Sequence, residues 1–440
     1  MLRHPGRGAA RRRRANHLRR LLTTVSRTDA DADAAATGTP DRSRPRAVLP
    51  ALCATQITSW GIVYYAFPVL NSHITADTGW STAATTAAFS GALLVSAAAG
   101  IPVGRALDRR GPHMVMTAGS VIAVTAVLAI AAAPNLAAFV AAWLLAGVAM
   151  AATFYHPAFA ALTRWWGPHR VRALTVVTLA GGLASTVFAP LTAVLADHLS
   201  WRATYAVLAA ILALITIPAH ALALRAPWPP APPQPDHLTA EGHRSIARGR
   251  PFLLLAAAFT LSGFAVYGVV IGLVPLLTER GADPTTAAWA LGLGGAGQTL
   301  GRTLYATLAR RTGVATRTAA LLAAGGATTL ALGLVPGPIP LLILLAVLAG
   351  IVRGNLTLLQ ATAITDRWGT THYGRLSGLL AAPATVAAAL APWAGASLAQ
   401  QLGGYAELFT VLSVTSLAAA LLAVGSASLQ RNREAESQIR

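Results

Sequence analysis

The 440-residue chain is 55% hydrophobic and only 11% charged, with a mean hydropathy of +0.56. That excludes an ordinary water-soluble enzyme or binding module, in which charged residues make up about a quarter of the chain. The net charge of +19 comes from 34 basic residues, all arginine, set between apolar stretches without an aromatic-interleaved basic face, which argues against a nucleic-acid partner.

Residues 1–46 are polar and hold 12 of the arginines, with an acidic run at Asp29, Asp31 and Asp33. This reads as a disordered cytoplasmic tail. Leu21-Leu22 is too short for the apolar core of a signal peptide. Apolar runs of about 20 residues, enough to cross a bilayer, follow at 47–70, 81–104, 114–133, 136–162, 173–196 and 203–224, as spans 1 to 6. A break over 225–250, containing Trp228-Pro229-Pro230-Ala231-Pro232-Pro233, reads as a cytoplasmic linker. Spans 7 to 12 lie at 251–278, 286–309, 318–335, 341–364, 376–400 and 405–429, before a short cytoplasmic tail at 431–440. The expected fold is an all-α polytopic membrane protein with twelve transmembrane helices, six in 47–224 and six in 251–430.

The arginines test that count. With each span crossing once, 30 of the 34 fall on one side: in the two tails, the linker, and the loops after spans 2, 4, 8 and 10. Positive charge marks the cytoplasmic side, so both termini are expected there, in a multi-pass protein of the cell membrane. Of the other four, Arg202 and Arg280 lie on the far side, and Arg302 and Arg353 lie inside spans 8 and 10.

The halves also repeat. Ala189-Pro190 and Ala391-Pro392 are 202 residues apart, as are Trp166-Gly167 and Trp368-Gly369. Ala146-Gly147-Val148 and Ala349-Gly350-Ile351 match at 203, and so do Arg172 and Arg375. Duplicated halves are a common transporter plan, with the substrate bound between them near the midplane.

Between spans 2 and 3 stands Gly104-Arg105-Ala106-Leu107-Asp108-Arg109-Arg110-Gly111. It resembles the G-x-x-x-D-R-x-G loop of the major facilitator superfamily. Glycine permits the tight turn, and Asp108 at a helix end can pair with arginine or a helix N-terminus. The resemblance implies a gating loop, carried here by Gly104, Arg105, Asp108, Arg109 and Gly111, that stabilises one transport state and yields in the other. The matching loop of the second half, Leu308 to Gly313, lacks the acid. Trp143 before Gly147, and Ala189-Pro190 in place of Gly-Pro, depart from the superfamily's drug antiporters. Ser59-Trp60-Gly61, Thr78-Gly79-Trp80-Ser81 and the stretch from Trp165-Trp166 to Gly181-Gly182 are similar to the monocarboxylate porter and oxalate/formate antiporter branch.

A charge at the bilayer centre costs about 2.5–3.5 kcal/mol on insertion scales and usually faces a cavity. Every Asp and Glu lies in a tail, a loop or a span end, so none neutralises Arg302 or Arg353 from mid-span. The expected substrate is therefore a small organic anion, most simply a carboxylate, which matches the guanidinium fork. The resemblance implies a substrate-binding arginine in span 8, which Arg302 fits, and a proton-handling Asp four residues earlier, where Gln298 stands and cannot titrate. It also implies a second basic residue in span 11, for which Arg353 in span 10 is the substitute. Tyr64, Tyr267, Asn355 and Gln360 complete the expected binding residues; Gln56 and Tyr155 are further polar candidates. His156 is the candidate for proton coupling, because a His titrates near neutrality.

Gly292 to Gly297 match G-x-G-x-x-G, but no strand precedes them and no acid follows within about 20 residues, so a dinucleotide site is rejected. Gly297 with Gly301, and Gly100 with Gly104, have the spacing for close helix contact. No catalytic constellation is visible, and no metal or cofactor is expected: Cys53 is the single cysteine and the 11 His are scattered. The function expected is secondary active transport of a small organic anion by alternating access, by a monomer with the lipid bilayer as its other partner. The alternatives are a drug or metabolite efflux antiporter of the same superfamily and, in another class, a non-transporting membrane sensor.

Overall fold

The structure, a computed structural model, describes residues 45–167, 170–228, 246–368 and 373–439. The expected tail up to residue 44 and the core of the linker, 229–245, lie outside the described residues. Every regular element among the described residues is helical.

The first six spans are Val48–Trp60 continued through Gly61–Tyr65 into Ala66–Thr78, Thr82–Arg110, Pro112–Ala131, Leu136–Thr153 with Tyr155–Trp166, Arg170–Gly182 with Ala184–His198, and Trp201–Ala223. The second six are Arg250–Glu279, Pro284–Arg311, Val314–Leu334, Ile339–Thr362, Tyr373–Leu402 and Tyr405–Ile439. Ten of these are long and apolar enough to cross a membrane. Span 1 is interrupted by a π-helical turn, and the apolar content of span 8 is diluted by glycines, threonines and Arg302. At 28 residues, span 8 is still about 42 Å long, more than the ~30 Å hydrocarbon core. Outward-facing Leu214, Leu222 and Leu421 are more than three-fifths exposed, as lipid-facing leucines are and a water-facing surface could hardly sustain. The backbone of span 12 stays helical beyond its apolar run, to Ile439.

Sequence dictates where the spans begin. Spans 2, 4, 6 and 8 are each capped by a short polar side chain, Ser81, Asn135, Ser200 and Asp283, which accepts a bond from the backbone N–H three residues on. All four caps lie at the end away from the arginine-rich face. The paired bonds from Thr286 hold the exposed Asp283 carboxyl below the usual carboxylate range.

Two prolines shape the interior. Pro157 has no N–H to offer the carbonyl of Thr153, and span 4 breaks between them at Phe154. Gln56 of span 1 takes over that carbonyl, its Nε2 donating at 2.7 Å. Replacing Gln56 by Leu strands it in a buried setting and is expected to cost about 1–3 kcal/mol, read as a lower unfolding temperature in detergent. In span 1, Pro68 follows the wider turn Gly61–Tyr65. A side chain at Gly61 would overlap the Phe188 ring of span 5.

The repeat is visible in packing. A Cβ at Gly147 would run into the backbone oxygen of Ala92, and one at Gly350 into that of Gly294. Span 4 thus lies on span 2 as span 10 lies on span 8. Gly297 and Gly301 make the expected close contacts, against the backbones of Val347 and Ile351. Gly100 and Gly104 do not: nothing lies within 4 Å of where their Cβ would be. Their helix is there turned toward open space rather than toward a neighbour.

Candidate functional site

Gln298 and Arg302 are four residues apart on span 8 and share one face. Arg302 is 8% exposed and reaches across to the first half, where its Nη1 donates to the backbone oxygen of Thr178 in span 5. Glycines make the passage: a Cβ at Gly182 would stand 2.9 Å from that same Nη1, and one at Gly181 would overlap the Tyr155 hydroxyl. On the other side, Gln298 Oε1 accepts from Arg353 Nη2 at 3.3 Å. The amide that replaces the family's acid therefore holds the second guanidinium.

An aromatic wall faces these groups. Trp60 packs on Tyr155 at 5.2 Å and on Tyr64 at 5.4 Å, and Tyr64 meets Tyr267 of span 7 edge-on at 6.4 Å. Tyr267 lies within electrostatic range of both Arg302 and Arg353. The structure thus brings together Arg302, Arg353, Gln298, Tyr64, Tyr267 and the further candidate Tyr155, and adds Trp60 and Tyr65. Tyr64 and Tyr65 owe their placement to the π turn, a local widening frequent at functional sites.

The electrostatics are one-sided. Asp77 pairs with Arg202, Asp108 with Arg164, and Asp366 with Arg317, each at 2.8 Å and each at the end of a span. Among the described residues no acid pairs with Arg302 or Arg353. Their Nε atoms, the Tyr64 hydroxyl and the Trp60 indole nitrogen are buried without a hydrogen-bond partner among those residues. Buried donors normally find acceptors, so this cluster of donors is suited to an anion. Among the described residues no three His, Cys, Asp or Glu side chains come together as metal ligands.

Three expected site residues lie apart. Asn355 donates to the Ile351 carbonyl of its own helix and packs beside Gly301. Gln360 is exposed about two turns beyond Arg353. His156 is also exposed, on a different face of span 4 from Tyr155. Asn355, two residues from Arg353, shares its helix but not its face, which periodicity alone does not settle in a helix apolar all round; Gln360, seven residues on, lies on the same face but nearer the arginine-rich end.

In the loop after span 2, Asp108 pairs with Arg164 at the end of span 4 rather than with the exposed Arg105 or Arg109. Trp228 closes over the pair: Arg164 stacks on its ring at 4.5 Å, and its indole donates to the Asp108 backbone oxygen at 3.3 Å. Gly111, at φ +76°, lies under that ring, and a Cβ there would come within 3.2 Å of it. In the second half, Asp366 after span 10 supplies the acid missing from the loop after span 8, and binds Arg317. The ion pair recurs with its charges exchanged. The signal was present, since Arg164 and Asp366 are 202 residues apart, the offset of the repeat. Arg367 beside it donates to Thr318 at 2.6 Å, and burial lowers its pKa.

Besides the Arg302–Thr178 bond, hydrogen bonds between the halves join Thr285 to Asp197 (2.7 Å), Thr186 to the Gly292 carbonyl (2.9 Å), and the Trp393 N–H to Ser90 (3.1 Å). All three lie toward the end opposite the arginine-rich face.

A solved bacterial homolog of the human lysosomal transporter Spinster, in an inward-facing and unoccupied conformation, superimposes with a TM-score of 0.66 at 15% identity, covering 89% of this chain and 97% of that one. That shows the fold. The chain is 32% identical to monocarboxylate transporter 11 of Homo sapiens over 57% of its own length and 53% of the relative's. It is 32% identical to monocarboxylate transporter 13 of Bos taurus over 46% and 47%, and 28% identical to that of Rattus norvegicus over 72% and 74%. It thus spans about half the length of the human and bovine relatives. The family model described as Major Facilitator Superfamily matches residues 52–338 and 253–438. With helices, repeat and the G-x-x-x-D-R-x-G loop in agreement, the chain belongs to the Major Facilitator Superfamily and is a multi-pass membrane protein similar in sequence to the monocarboxylate transporters above.

Proposed function

We propose that this transporter moves a small organic anion of the carboxylate type across the cell membrane by alternating access, with Arg302 and Arg353 as the anion-binding groups. The observation that carries the reading is a pair of guanidiniums inside the spans that no acid neutralises among the described residues. A carboxylate would supply the missing charge and two acceptors in the geometry of the fork. Gln298, Tyr64 and Tyr267 line the approach. The similarity to proteins named monocarboxylate transporters supports the same chemistry. The arginine-rich face is cytoplasmic on this reading. The halves, joined at the opposite end, then stand in an inward-open stage, and the Asp108–Arg164 and Arg317–Asp366 pairs are the latches of the two gating loops.

The test is transport by purified protein in liposomes. Saturable exchange of small carboxylates, driven by their own gradient and indifferent to an imposed pH gradient, is the expected result, because Gln298, where the resemblance implies a proton-handling acid, cannot carry a proton. Uptake of organic cations in place of carboxylates would refute it.

A further inference from the structure

Inside the second half lies a cavity that the transport site does not account for. It sits among spans 7, 8, 9, 10 and 12 rather than between the halves, and Val266, Val269, Leu291 and Leu356 wall it. Glycine holds it open. Gly325 lines it, and a Cβ there would stand 3.7 Å from Leu356 and 3.9 Å from Val352, in ordinary contact. Thr328 and Thr329 also line it, but their hydroxyls are engaged by their own helix, bonding to Ala324 at 2.9 Å and Gly325 at 2.8 Å. They offer methyl groups rather than free donors. The charged member of the wall is Arg353. Its Nη2 reaches Gln298 beside Arg302, and its Nε has no partner among the described residues. Arg353 therefore belongs both to the anion site and to the rim of an apolar space.

Interiors are packed nearly as tightly as organic crystals, and unfilled apolar space destabilises. An apolar space bordered by a cation fits an amphiphilic anion. We infer that this cavity is the tail subsite of the transporter: Arg353 holds a carboxylate head, and a short branched aliphatic tail enters the bundle between spans 7 and 9. A second carboxylate on that tail would be buried among valines and leucines with only the Ser262 and Ser416 hydroxyls as donors and no cation to neutralise it, so the subsite selects against dicarboxylates. The inference rests on the carboxylate reading above.

The experiment compares 4-methylpentanoate with acetate in liposomes containing wild type, Gly325→Val or Val269→Ala protein. Filling the cavity with Gly325→Val is expected to lower the branched-to-acetate rate ratio about tenfold or more, the scale for methylene-sized changes in an apolar pocket, while acetate still moves. Enlarging it with Val269→Ala is expected to shift preference the other way, toward longer tails. This second variant decides the matter if Gly325→Val does not fold. Wild type that moves acetate but rejects 4-methylpentanoate overturns the subsite alone, as does a ratio unchanged in folded variants. Wild type that moves neither acid overturns the carboxylate reading and the subsite together.

Discussion

Replacing Arg302 by Gln is expected to reduce carboxylate transport at least about 10- to 100-fold, the equivalent of losing a charged hydrogen-bonding partner worth about 1.5–3 kcal/mol. The neutral amide keeps some hydrogen-bonding capacity but offers no charge to an anion at this depth. Arg302→Lys should fall between, since an ammonium retains the charge but not the planar fork. The same guanidinium holds the Thr178 backbone oxygen of the opposite half. Arg302 Nε has no partner among the described residues, so a carboxylate could be met there without displacing the Thr178 carbonyl. Initial rates in liposomes, with thermal unfolding in detergent as the control for folding, check the prediction. Wild-type rates in folded Arg302→Gln protein would remove Arg302 from the site.

The largest structural effect is expected at Gly350. Its Cβ would run into the Gly294 carbonyl, which is backbone and cannot rotate away. Gly350→Val should force spans 8 and 10 apart, at a cost above the 1–3 kcal/mol or so typical of overpacked cores. Loss of monodisperse protein on size exclusion is the readout. Gly147→Val should fail in the same way in the first half, against the Ala92 carbonyl. Gly325→Ala, whose Cβ meets side chains at ordinary distance, should be tolerated. A stable Gly350→Val protein would show that the seam can open.

Much of this was legible in one dimension. Lipid forces every crossing to be an apolar run and confines arginines to one face, so span count, the duplication and the exceptional Arg302 and Arg353 all leave a trace in the string. Their partners leave none. Thr178 offers a backbone oxygen, Gly181 and Gly182 contribute by lacking side chains, and each lies more than 100 residues from Arg302. The π turn that aims Tyr64 and Tyr65 depends on packing against span 5, which no local pattern encodes. Asn355 was read into the site because a helix apolar all round does not show which face meets the cavity. The reverse error concerned Gly100 and Gly104, where spacing suited a close contact but no helix stands opposite.

The glycine seam has a consequence for selectivity. Gly294, Gly297, Gly301, Gly350 and Gly354 seat spans 8 and 10 backbone against backbone, so neither helix can slide or roll on the other without collision. Arg302 and Arg353 ride on those two helices, at the same level of the seam. On the proposed reading, the backbones that carry the two guanidiniums would keep one spacing while the opposite half moved, so an anion would meet the same pair of attachment points from either side of the membrane.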